Sequence, residues 1–95
     1  MESEGEGRLG FRVVGRVQGV GFRWWTRRTA VELGLHGWVR NESDGSVVVH
    51  AGGPPEALAR LEGALSRGPS ASRVDRLESI PPSGTFLPGE FRIEM

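Results

Sequence analysis

Asp44-Gly45 lies near the middle of the 95-residue chain, between two short apolar runs, and constrains the fold more than any other pair of residues. Asp-Gly favours the tight turn whose twist matches that of antiparallel strands. Leu35–Arg40 and Val47–Ala51 therefore read as the two arms of a β-hairpin. Upstream, Leu9, Phe11 and Val13 alternate with Gly10, Arg12 and Val14, which predicts a strand over Arg8–Gly15 with one apolar face. The period then changes. Phe22, Trp25, Thr29, Ala30 and Leu33 recur near helical spacing, and Gly34 offers a helix stop.

The second half follows the same plan. Gly52-Gly53-Pro54-Pro55 breaks the third strand, and a proline there suits the first turn of a helix. Leu58, Leu61 and Leu65 mark the buried face of that helix, which runs to about Arg67 before Gly68-Pro69. Arg73–Ile80 reads as a fourth strand; Val74 and Leu77 fall on opposite parities, which predicts a bulge. Pro81–Gly89 is a loop, and Phe91 and Ile93 mark a short last strand.

The order β-α-β-β-α-β predicts an α+β, ferredoxin-like sandwich: an antiparallel sheet with two helices on one face and an extra C-terminal strand. Residues 8–95 form one domain, and residues 1–7, MESEGEG, read as a disordered acidic tail. Such a fold hosts many functions, so function must come from the site.

Composition removes several classes. With no Cys there is no disulfide, thiolate zinc site or cysteine nucleophile. No apolar run approaches the ~18 residues of a membrane span, and the first residues lack a signal peptide's basic start. A cytoplasmic protein is expected. The net charge of zero hides an asymmetry: residues 8–40 carry seven Arg against Glu32 alone, whereas residues 41–95 carry five Arg against eight acids. This points either to a local anionic ligand or to a solvated basic helix face. All twelve basic residues are Arg, and the chain has one Asn, Asn41, and one Gln, Gln18. Heat adaptation and a GC-rich genome both account for part of this usage.

Gly15-Arg16-Val17-Gln18-Gly19-Val20-Gly21 joins the first strand to the first helix. Glycine lets the backbone approach a ligand with no Cβ in the way. A loop ending at a helix N-terminus gathers N–H groups and partial positive charge that favour an anion. It lacks the Lys-Ser/Thr ending of a Walker loop and the spacing of a dinucleotide fingerprint, and a tight turn and an anion cradle both stay open. Arg23, in the first helical turn, opposes the helix dipole, an arrangement that makes sense with an anion between them. Its guanidinium fork suits two phosphate oxygens. Asn41 closes the second strand, where an amide serves either a turn or the orientation of a water beside the first loop.

Gly15 to Arg23, followed by Gly34-Leu35-His36-Gly37-Trp38-Val39-Arg40-Asn41 and Asp44-Gly45, resembles the acylphosphatase family, with compatible elements from about Leu9 to the C-terminus. The resemblance implies a hydrolase without metal or other cofactor that cleaves acyl phosphates to a carboxylate and inorganic phosphate. It implies that Arg23 binds the phosphate and that Asn41 positions the attacking water. Gly15, Arg16, Val17, Gln18, Gly19 and Val20 would cradle the phosphate with their N–H groups. One departure is visible: family members often place a Glu on the third strand, where this chain has Val48. That change is expected to alter the outer surface of the sheet. The small number of parts suits the chemistry, because a carboxylate with a conjugate-acid pKa near ~4 leaves without strong acid assistance.

Other classes have weaker support. His36 and His50 are 14 residues apart with no Cys, a poor metal site. Gly34-Leu35-His36-Gly37 mimics the Gly-x-x-Gly loop of KH domains but lies at a helix end. An RNA-binding sheet of RRM type needs aromatics on its central strands, and Val47–Val49 supplies none. The tryptophans are expected in packing roles, with one or two at most near the ligand. A carbamoyl-phosphate-processing domain of larger maturation enzymes is a further alternative. The expectation is a small stand-alone monomer that acts on a small-molecule acyl phosphate, with no nucleic-acid or membrane partner.

Overall fold

The computed structural model describes residues 6–84 and 86–95. It contains β1 (Gly7–Arg16), α1 (Phe22–Glu32), β2 (His36–Asn41), β3 (Val47–Gly53), α2 (Pro55–Arg67), β4 (Arg73–Ile80) and β5 (Phe91–Glu94). The sheet order is β4-β1-β3-β2-β5. Residues 1–5 of the expected acidic tail lie outside the described residues, and Gly7 already belongs to β1.

Alternation builds the core. Phe11 faces Val49 across the β1–β3 pair, Val49 faces Val39, and Val39 faces Ile93, so one apolar row crosses four strands. Phe22 and Ala30 of α1 and Leu58, Leu61 and Leu65 of α2 join the same buried cluster, which places both helices on one face. Burying each of those leucines stabilises the fold by roughly 1.5–3 kcal/mol. α1 packs on β2 and β5, and α2 on β1, β3 and β4.

The helix ends follow their sequences. At the C-terminus of α1, Leu35 N–H donates to the Ala30 carbonyl (2.9 Å) and Gly34 N–H to that of Val31 (3.0 Å). With Gly34 at φ 77°, this is a Schellman stop. The expected bulge is present as well. Val14 pairs with Arg76 but Gly15 pairs with Val74, leaving Asp75 as the extra residue. The bulge brings Val74 and Leu77 onto the core face despite their parities.

One expectation needs correction. The sheet is mixed rather than antiparallel, because β5 runs parallel to β2. β4 descends one edge of the sheet to the end where β1 begins. The chain then crosses to the opposite edge, so β5 must climb in the direction of β2. The crossing segment is tied to the face without helices: Ser83 N–H donates to His50 Nδ1 (3.0 Å), and Trp38 Nε1–H donates to the Ser83 carbonyl (3.2 Å).

Candidate active site

The ends of β1, β2 and β5 meet the start of α1 at one end of the sheet. Asn41 is the last residue of β2 and pairs with Val47. It shares the parity of Val39, so its side chain leaves the sheet on the helix-covered face. The β1–α1 loop lies across this opening. Gly19 and Gly21 have φ values of 75° and 76°, left-handed conformations that disfavour any residue with a Cβ. Space is open where each Cβ would stand.

Gly21 is the N-cap of α1, with no side-chain cap and no acidic residue in the first turn. Four N–H groups at a helix start lack internal partners. Among the described residues, the N–H groups of Gln18 to Gly21 also donate no hydrogen bond. Gln18 fixes this loop against the hairpin: its Nε2 donates to the carbonyls of Glu42 (2.8 Å) and Ser46 (2.9 Å). That double bond ties the loop to the turn that follows Asn41.

Arg23 is half-buried. Its Nη1 reaches the Glu94 carbonyl at 3.4 Å, a long contact that leaves most of its donors unused. No ion pair among the described residues includes it. One turn on, Arg27 Nε donates to the Phe91 carbonyl (3.0 Å), so α1 grips β5 beside the opening. The result is a cleft of about 230 Å³ whose lining includes Val17, Gly19, Gly21, Arg23, Asn41 and Ile93. It joins free N–H donors, a guanidinium without a counter-ion and a neutral amide. Such a set can hold a tetrahedral oxyanion and a water beside it.

The sequence matches the Acylphosphatase family over residues 9–93. This chain belongs to the acylphosphatase family. It is 63% identical over 70 residues to the acylphosphatase of Nitratidesulfovibrio vulgaris strain DP4, covering 74% of this chain and 70% of that protein. A second relative, the acylphosphatase of Koribacter versatilis, is 51% identical over 84 residues, covering 88% of this chain and 76% of the relative. The crystal structure of acylphosphatase from Bacillus subtilis superimposes with a TM-score of 0.84 at 34% identity, covering 93% of this chain and 98% of that one.

Within this acylphosphatase-family fold, the structure brings Arg23, Asn41, Val17 and Gly19 together. Gly15 and Arg16 stand apart as the last residues of β1. A Cβ on Gly15 would collide with the Arg73 carbonyl, so that glycine serves the bulge. The Gln18 side chain points to the hairpin, leaving its N–H as the group available to a ligand, and Val20 packs against the core. Sequence reasoning allowed one or two tryptophans near the ligand without singling out Trp24, and it left Ile93 out of the site; both line the cleft. Ile93 could be found only by knowing that β5 runs beside β2. Val48 lies on the sheet face away from the helices, between Arg12 and Arg40, where the missing Glu does not touch the cleft.

The two histidines lie on that same far face. His50 is 3% exposed and stacks on Trp38 with ring centroids 4.3 Å apart. Burial, reinforced by Arg40 and Arg8 and opposed by Glu42, holds its pKa below the usual histidine value. On the hairpin, the Asp44 carboxyl is held below its ordinary range, mainly because the Ser46 hydroxyl and N–H donate to it.

Proposed function

We propose that Arg23 and the N–H groups of the 17–21 loop hold the phosphoryl group of the acyl phosphate that this family hydrolyses, and that the Asn41 amide orients the attacking water. The water oxygen bonds to phosphorus as the bond between phosphorus and the acyl oxygen breaks. The carboxylate departs with the electron pair, and the water's proton passes to a phosphoryl oxygen. Charge spreads over the equatorial oxygens in the transition state, where positioned donors act most strongly. Because the leaving carboxylate is a weak base, the cleft's lack of a strong acid carries no penalty.

The observation that carries this reading is the convergence of Arg23, Asn41 and the left-handed Gly19 and Gly21 on the uncapped start of α1. No helix among the described residues is long and apolar enough to cross a membrane. A cleft of about 230 Å³ suits a small acyl phosphate, the substrate class of this reading, acted on in the cytoplasm.

The test is phosphate release from benzoyl phosphate by wild type, Arg23→Ala and Arg23→Lys, each with and without EDTA. Both variants should lose at least about 100-fold in kcat/KM, because a point charge does not replace the two-pronged contact. Wild-type activity should survive chelation. Near-normal turnover by Arg23→Lys would sink the role given to the guanidinium fork.

A further inference from the structure

The cleft has more apolar surface than a phosphate needs. N–H groups, Arg23 and Asn41 account for an anion and a water, yet Val17, Ile93 and Trp24 line the same opening. Trp24 is 60% exposed, although its helix neighbours Phe22 and Trp25 both join the core. Successive helix residues turn by about 100°, so burying Phe22 and Trp25 directs Trp24 away from the core. Exposed large aromatics are costly to leave in water, and scattered ones need no explanation. This one stands beside the phosphate-binding groups. Arg28, one turn on, places its guanidinium carbon 5.6 Å from the indole centroid and braces the ring.

Resting on the acyl-phosphate reading above, we propose that Trp24, with Val17 and Ile93, forms the subsite for the acyl group and selects aromatic or large apolar acyl phosphates over acetyl phosphate. Once the phosphoryl group is seated on the loop and Arg23, the acyl carbon lies one bridging oxygen away, within reach of these walls. An aryl ring there gains stacking and desolvation that a methyl group cannot match. A contact with the non-reacting part of a substrate acts equally in ground and transition states, so its loss appears in KM rather than kcat.

The experiment compares benzoyl phosphate with acetyl phosphate for wild type, Trp24→Ala and Trp24→Phe. In Trp24→Ala the benzoyl-to-acetyl ratio of kcat/KM should fall about tenfold, chiefly through the KM for benzoyl phosphate, and Trp24→Phe should restore most of it. Calorimetric binding of two non-hydrolysable analogues, phenacylphosphonate and acetonylphosphonate, supplies a readout free of turnover. Trp24→Ala should weaken the first selectively, whereas Arg23→Ala should weaken both. Equal losses for both analogues in Trp24→Ala, or no loss for either, overturn the subsite. Retained binding of both in Arg23→Ala overturns the phosphate-holding role instead, and selective loss in Trp24→Ala upholds the subsite even then.

Discussion

Asn41→Asp separates a water-orienting amide from a turn residue. The two side chains have nearly the same shape. Among the described residues the Asn41 amide makes no hydrogen bond that an Asp would forfeit. As a structural change it should therefore cost no more than about 0.5 kcal/mol, or up to about 4 °C in Tm for a domain of this size. Function should respond differently. A carboxylate ~5 Å from one phosphoryl charge, at an effective dielectric of ~20, is repelled by roughly 3 kcal/mol, enough for about 100-fold in kcat/KM. The new charge would also pair with Arg23 in the free enzyme, because both line the same cleft, and so compete with the substrate for the guanidinium. Both quantities are to be measured on one preparation, by phosphate release and by thermal unfolding. A variant within a few-fold of wild type, as it would be if the carboxylate served as a base for the water, refutes the argument. So does an inactive variant whose Tm has dropped by ten degrees or more, because Asn41 is then a structural residue.

Two further outcomes follow from the geometry. Gly19→Ala and Gly34→Ala place a Cβ on backbones of nearly equal φ, 75° and 77°, with open space around each. Each should cost about 1–2 kcal/mol, but only Gly19→Ala should raise KM, because Gly19 lines the cleft; equal kinetics in the two variants would contradict an anion-holding loop. His50 gives a pH dependence. Its folded pKa is depressed below the ordinary 6.5, so the unfolded chain takes up its proton first as pH falls. The contribution is complete above pH 6.5 and is lost as the pH drops through the folded value. Tm should thus decline more steeply from pH 7 to pH 5 in wild type than in His50→Asn. Parallel declines would remove His50 as the cause.

Local patterns carried most of what positions the site. The switch from alternating Leu9, Phe11 and Val13 to helical spacing after Phe22 placed the loop, and its left-handed glycines, at a helix start. Asn41 could be placed at the end of the second strand, near the first loop, because Asp44-Gly45 marked the hairpin turn. What stayed hidden depends on pairing between distant segments. Phe91 and Ile93 show which face of β5 is apolar, but period-two alternation does not specify a neighbour or a direction. The parallel partnership with β2, and with it Ile93 in the cleft, was therefore out of reach. Gly15 looked like the rest of its loop because glycine's freedom serves a bulge as well as a ligand. The destination of the Gln18 amide is a contact across 24 residues to Glu42 that no local pattern encodes.

The charge asymmetry finds its meaning in the same way. On β2, β4 and β5, arginines are followed at i+2 by acids and bond them: Arg40–Glu42, Arg73–Asp75, Arg76–Glu78 and Arg92–Glu94, with N···O distances of 2.6–2.9 Å. Period two puts each pair on one face, where exposure keeps the stabilisation small, about 0–1 kcal/mol per pair. Their effect is to cancel positive charge on that part of the surface. Helix α1 obeys a different period and contains no acid before Glu32, and Arg23, Arg27 and Arg28 enter no ion pair among the described residues. Positive charge is thus paired on β2, β4 and β5 and left uncompensated, among the described residues, at the helix whose start borders the cleft and at Arg8 and Arg16 of β1. A chain of zero net charge can in this way attract a small dianion to one opening without attracting a long polyanion along its whole surface.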